Sequence, residues 1–268
     1  MSELLLKEVD GPVAVLTLND PDRANPLSAA IVRALRGELA ALAGDSGVRA
    51  VVIAGAGRHF SAGADLEALE AIAKGGGEAS NREDAENLRA LFETLLGHPK
   101  LTVAAVHGAA VAGGCGLATA CELVVAEARA RFAYTEVKIG FLAAMVLTFL
   151  TRRVAGHVAR RLLLDPELID GRRAVSIGLA DELADDGTAV TTAVELARAV
   201  CAKASPSALA ATKALLNETV GLEWRTALEV AAAANVRQRR EPDCARGVRS
   251  FLDSKTTPDW LVADENDD

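Results

Sequence analysis

The chain has 268 residues, 50% of them hydrophobic and 25% charged, with a formal net charge of −8 and only 3% aromatic side chains. An acidic balance with so few stacking groups excludes a nucleic-acid surface, which needs a basic stripe and aromatic platforms, but leaves room for a phosphorylated small molecule held by a few cations. The length suits one large domain or one with a small appendage, and the longest strongly apolar stretch, Ile139 to Leu150, falls short of the about 20 residues of a membrane span.

The start carries Glu3 and neither a basic segment nor a small-residue cleavage site, so no signal peptide is expected and the cytoplasm is the expected compartment. Leu4 to Val9 and Val13 to Leu18 read as strands of a hairpin around Asp10-Gly11. After a loop at Asn19 to Arg23, Ser28 is a good N-cap for a helix over Ala29 to Ala43, with Ile31, Leu35, Leu39 and Leu42 on one face. Val48 to Ala54 is the next strand. Gly63-Ala64-Asp65 then opens a helix with Leu66, Leu69 and Ile72 expected inward. Gly75 to Asn81 reads as a surface linker, and Arg82 to Leu96 as a helix.

Leu101 to Val106 is a short apolar run with two valines, hence a buried strand, and it enters a patch made almost wholly of Gly and Ala. Beyond Gly113, Gly114 and Gly116 the residues become helix formers. A strand that passes through glycines into a helix leaves backbone N–H groups free where an anion or a developing oxyanion can accept them. Gly108 and Gly113 have P-loop spacing, but Gly114 and Cys115 stand where Lys and Ser/Thr are needed, so the patch is a donor site without a phosphate signature. The stretch around Ala64 repeats the pattern, and two such units on neighbouring strands can aim donors at one point.

Leu123 to Ala126 and Ala130 to Thr135 follow as short strands, ending at Glu136. Taken alone, Glu136 reads as a solvated strand-end carboxylate paired with Lys138. Helices are expected at Phe141 to Val154, His157 to Leu164 and Gly171 to Ile177, and then at Ala193 to Ala204, Pro206 to Glu218, Glu223 to Arg237 and Cys244 to Leu252. Strands early and helices late predict an α/β core with a helical appendage. Cys115, Cys121, Cys201 and Cys244 form no C-x-x-C pair, and the histidines show no ligand spacing, so reduced thiols and no metal are expected.

Seven segments in this order resemble the crotonase, or enoyl-CoA hydratase/isomerase, superfamily: DRANPL at 22–27, HFSAGADL at 59–66, AAVHGAAVAGGCGLATACEL, ARFAYTEVKIGF, DGRRAVSIGLADE at 170–182, KASPSALAATKALLN and DCARGVRSFLDSK. The resemblance implies an α/β fold built as a spiral of repeated ββα units over residues 1–204, a C-terminal helical trimerisation region over 205–268, and a homotrimer or hexamer. It implies an acyl-CoA thioester as substrate, with coenzyme A part of that substrate and no separate cofactor. It assigns the thioester oxyanion hole to the N–H groups of Ala64 and Gly113, and a catalytic carboxylate to Glu136. Substrate contacts are implied at Arg23, Ala62, Asp65, Leu66, Gly116, Phe251 and Lys255, the basic positions lying toward the CoA phosphates. Glu67 stands where relatives often have a cation, with Arg58 nearby as an alternative.

Family hydratases usually carry a second glutamate, and its position here is Gly116. Two carboxylates can hold a water between them, whereas one can move a proton between two carbons of an enolate. Loss of the second favours an isomerase on mechanism alone. Against that, AYTEVKIGF with Ala143-Ala144-Met145 resembles a bacterial branch of hydratases, some with Gly at the same position. Water addition is therefore the first expectation, isomerisation the second, and a catalytically idle acyl-CoA binder the third.

Overall fold

The structure, a computed structural model, describes residues 3–75 and 77–262. Gly76 of the expected linker, residues 263–268 of the expected C-terminal region and the Ile72 side chain lie outside the described residues. β1 (Leu5–Asp10) runs antiparallel to β2 (Val13–Leu18), with Asp10 opposite Val13, so the hairpin forms as expected. α1 (Ala29–Gly44) follows, capped by the Ser28 hydroxyl, which accepts from the Ile31 N–H. Next come β3 (Ala50–Gly55), α2 (Leu66–Ala73), α3 (Glu78–Leu96), β4 (Leu101–Val106), β5 (Ala109–Val111), α4 (Gly113–Ala120), β6 (Leu123–Glu127) and β7 (Arg131–Ala133). The remainder is α5 (Val146–Arg153), α6 (Gly156–Leu164), β8 (Ile169–Asp170), α7 (Gly171–Ser176), β9 (Glu182–Ala184), α8 (Ala189–Lys203), α9 (Pro206–Glu218), α10 (Trp224–Gln238) and α11 (Pro242–Ser254).

The main sheet has the order β1-β2-β3-β4-β6-β9, parallel from β2 onward, and a small second sheet has the order β5-β7-β8. Strands covered on both faces are apolar throughout rather than alternating, and the two-residue period sorts their side chains between two layers. On β3, Val51 and Ile53 join Ile31, Leu35 and Leu39 of α1 and Leu91 and Leu95 of α3. Ala50, Val52 and Ala54 instead face α8, whose Ala189, Ala193, Ala197 and Cys201 recur every four residues. Small residues at that spacing let α8 lie close on the sheet.

The C-terminal helices are tied to this core by polar groups. Lys213 of α9 is buried and reaches the Glu122 carboxylate at 2.9 Å as well as the Lys100 carbonyl. Glu122 also accepts from the Thr102 N–H at 3.0 Å. Arg49 donates to the carbonyls of Trp260 (2.7 Å) and Ala204 (3.2 Å), joining the start of β3 to the segment after α11 and to the end of α8. Among the described residues no helix is long and apolar enough to cross a membrane.

Several boundaries differ from the sequence expectation. α3 begins at Glu78 instead of Arg82, because the first turn of the helix runs exposed through polar residues that carry no apolar period. The helix expected from Phe141 begins only at Val146. Gly140, at φ 72°, ends a short 3-10 turn over Glu136–Ile139, and the Phe141 N–H bonds back to the Glu136 carbonyl, leaving residues 141–145 irregular. Leu66, expected inward, is 63% exposed, because α2 lies over a cavity instead of the core.

Candidate active site

The donor site is built from the loop after β3 and the turn before α4. Parallel pairing of β3 with β4 places both chain exits at the same sheet edge. The two exits are then laced together: Phe60 N–H bonds the His107 carbonyl (3.1 Å), Ser61 N–H the Ala109 carbonyl (3.1 Å) and Val111 N–H the Ser61 carbonyl (3.0 Å). Gly63 makes the closest approach. It has φ 88°, and a Cβ there would come within 2.5 Å of the Val111 carbonyl oxygen and 2.8 Å of the Gly113 nitrogen, so no side chain fits. A Cβ on Gly113 would in turn lie 3.7 Å from the Ala64 nitrogen. The Ala64 and Gly113 N–H groups are therefore neighbours, and among the described residues neither bonds to another protein group.

Two residues hold this geometry that sequence reasoning did not single out. Asn25 is fully buried with φ 53°; its amide donates to the carbonyls of Ala56 (2.9 Å) and His59 (2.8 Å), and its oxygen accepts from Asp20 N–H (2.9 Å). The Ser61 hydroxyl bonds the Asn25 carbonyl (2.7 Å) and accepts from Gly63 N–H (3.2 Å). Ala112, the N-cap of α4, sits at φ 50°, ψ −126°, a region that a side chain rarely adopts, while its N–H bonds the Ala133 carbonyl at 2.8 Å. A strained residue beside two free donors marks a functional site.

Glu136 faces the same place from β7. It is 8% exposed, makes no ion pair with Lys138, and its Oε2 is buried without a hydrogen-bond partner among the described residues. The solvated reading is thus corrected: the 3-10 turn at the end of β7 carries the side chain inward. Burial pushes its carboxyl above the usual carboxylate range. A cavity of about 540 Å³ joins Glu136 to Ala62, Ala64, Asp65, Leu66 and Arg23, with Ile139 and Phe141 among its apolar lining.

The other expected site residues fall in different places. Arg23 is at the cavity, but its guanidinium is already engaged by Asp65 (2.8 Å), Glu67 (3.2 Å) and Asp20 (3.5 Å). Asp65 loses solvation there, yet its bonds to Arg23 and to the Ala68 and Glu67 N–H groups outweigh that loss and hold its carboxyl below the usual range. Gly116 is buried beneath α5 and lines none of the cavity; a Cβ there would meet Val146 Cγ2 at 2.5 Å and Phe92 at 3.5 Å. The space that a glutamate would need is filled. Phe251 and Lys255 are exposed at the end of α11, Lys255 Nζ lying 5.8 Å from the Phe251 ring, and neither lines the cavity. Cys115 is buried and its thiol is pushed up to about 12, which rules it out as a nucleophile at neutral pH. Among the described residues no three His, Cys, Asp or Glu side chains gather as metal ligands.

The family profile described as enoyl-CoA hydratase/isomerase matches residues 8–261. The chain belongs to the enoyl-CoA hydratase/isomerase family. It is 45% identical over 245 residues to a Thermus thermophilus protein provisionally named as an enoyl-CoA hydratase, covering 91% of this chain and 96% of that one. It is 33% identical over 273 residues to the 2,3-dehydroadipyl-CoA hydratase of Escherichia coli, with 97% and 99% covered. The crystal structure of an enoyl-CoA hydratase from Mycobacterium smegmatis superposes with a TM-score of 0.89 at 29% identity, over 97% of this chain and 100% of that one. The fold is accordingly the crotonase α/β fold with C-terminal helices.

Proposed function

We propose that this family member hydrates 2-enoyl-CoA thioesters. The observation that carries the reading is the Glu136 carboxylate, buried and unpartnered in a cavity that also holds the Ala64 N–H. A thioester oxygen placed between the Ala64 and Gly113 donors accepts both bonds, and these strengthen as negative charge moves onto it. Glu136 takes a proton from water while the water oxygen bonds to C3. The electron pair of the C2–C3 double bond shifts toward the thioester oxygen, and the enolate then collapses as Glu136 returns a proton to C2. The product is a 3-hydroxyacyl-CoA, and coenzyme A, as part of the substrate, is the only group required. The hydratase names of the relatives support this direction.

One observation favours a second reading. Val146 and Phe92 fill the space at Gly116, so Glu136 is without a second carboxylate from α4. A lone carboxylate at an enolate moves a proton from C2 to C4 of a 3-enoyl-CoA equally well. Crotonyl-CoA and a 3-enoyl-CoA, offered separately while the conjugated enoyl absorbance is followed, distinguish the two: loss of absorbance reports hydration and gain reports isomerisation. Binding of both without turnover would leave an idle acyl-CoA binder.

The reading extends to assembly. Leu216, Leu222, Trp224, Leu228, Val236 and Phe251 are exposed apolar side chains on or between α9, α10 and α11. So many on one appendage suit a covered interface, and a trimer, or a hexamer of two trimers, would cover them and bring Phe251 and Lys255 against a neighbouring subunit.

A further inference from the structure

Behind the two donors the site continues into a smaller hollow of about 80 Å³, whose wall includes Ala64 and Gly113 and which shares Asp65 and Leu69 with the main cavity. A thioester whose oxygen lies on those donors can send its acyl tail there. Most of the wall is apolar, with Leu27, Val32 and Leu88. Ser28, whose hydroxyl caps α1, and Asp65, held by Arg23, are polar members of the wall that are already engaged; the other two polar side chains are Asp84 and Asn87, one turn apart on α3. Neither forms a hydrogen bond or ion pair among the described residues.

Burial, with a smaller contribution from the Asp65 charge, raises the affinity of Asp84 for its proton. Nearby charges do not relieve it. Asp65 is committed to Arg23 and to the first turn of α2, and Arg33, which shares a neighbouring hollow with Asp84 and Glu83, makes no ion pair with it. A plain alkyl tail in this hollow would strip water from Asp84 and return nothing. A carboxylate-ended tail would set like charge against it. A hydroxyl would supply the missing donor, and a hydrogen bond to a charged acceptor is among the stronger ones.

Building on the acyl-CoA reading above, we infer that Asp84 and Asn87 select acyl groups whose far end carries a hydrogen-bond donor, a hydroxyl, over plain alkyl or carboxylate-ended ones. The two residues set specificity at the tail and take no part in the proton transfer at Glu136.

Saturated acyl-CoAs test this without any reaction. Butyryl-CoA against 4-hydroxybutyryl-CoA, and hexanoyl-CoA against 6-hydroxyhexanoyl-CoA, are titrated calorimetrically into the full-length protein. The wild type is expected to bind the hydroxylated member more tightly in at least one pair. Asp84→Leu should shift that ratio about tenfold toward the alkyl member, and Asp84→Asn, which keeps an oxygen acceptor, should retain part of the preference. The wild-type ratios decide even if Asp84→Leu does not fold: tighter alkyl binding in both pairs overturns the assignment. An unchanged ratio in Asp84→Leu overturns it too, and leaves Asp84 as a side chain that lines the hollow without touching the acyl tail. Failure of all four thioesters to bind would overturn the acyl-CoA reading itself.

Discussion

On the proposed mechanism, Glu136 sets activity against stability within one side chain. Its carboxyl is held above the 4.5 of a free glutamate by burial, so the folded protein resists its ionisation. The sign follows from linkage: the contribution to stability is fully present below the unfolded value and is lost as pH rises through the folded one. Glu136→Gln removes that loss. It should be more stable than wild type in urea melts at pH 7, with the difference vanishing at acid pH, while turnover falls by about 10²–10⁴ and thioester affinity stays near wild type. An unchanged rate would refute the catalytic role. The acid limb of kcat/KM, reporting the same group, should lie above pH 4.5. Gly116 is governed by volume. Gly116→Glu pushes into Val146 and should cost about 1–3 kcal/mol in denaturant melts, and Val146→Ala in the same chain should recover part of it. Only that double variant makes room for a second carboxylate, so a change in the ratio of water addition to double-bond migration is expected there and not in the single variant.

At the scale of elements, the turn before α4 and the loop before α2 work as a pair, and each is limited by a backbone that a side chain does or does not tolerate. Ala112→Gly should relieve the φ 50° strain and stabilise the fold by about 1 kcal/mol with activity retained, as thermal melts and turnover will show. Gly63→Ala should do the reverse, because its Cβ drives the Val111 carbonyl and Gly113 nitrogen apart; turnover should drop by about 10²-fold or more. These elements also show what is legible in the chain. Ser28 with Ile31, Leu35 and Leu39 marks α1 plainly, because cap and period agree. The glycines at 63 and 113 mark both donors, since only close approach explains so many small residues. Asn25 gives no such sign: its value comes from carbonyls more than thirty residues away, and one polar residue in a loop has no period. β5 and β8 were invisible for a similar reason, being too short for alternation to register. Glu136 reads as solvated from the sequence because burial at a strand end depends on how the chain turns there, and the 3-10 turn over Glu136–Ile139 carries no sequence period.

For the whole molecule, the exposed apolar residues of α9–α11 carry the clearest expectation. Light scattering at micromolar concentration should find a trimer or hexamer, and Leu228→Asp with Trp224→Glu should shift it toward monomer while far-ultraviolet circular dichroism stays unchanged. A monodisperse wild-type monomer would refute the interface. The Lys213 pair with Glu122 and the Arg49 contact to Trp260 both cross residue 204, so the helices beyond it are held to the sheet by polar groups.

The Glu122–Lys213 pair has a bearing on synthesis. Glu122 sits where β4 and β6 run side by side, and its only ion-pair partner among the described residues comes from α9, more than ninety residues later. A chain still on the ribosome, with β1 to β6 already outside the tunnel, therefore holds a half-buried carboxylate at the start of β6 with no cation to meet it, and desolvating it alone is costly. The sheet should close late, when α9 emerges, and nascent chains halted before that point should be digested by protease as unfolded polypeptide. Glu122→Gln, which needs no counter-ion, should let the same halted chains resist digestion earlier.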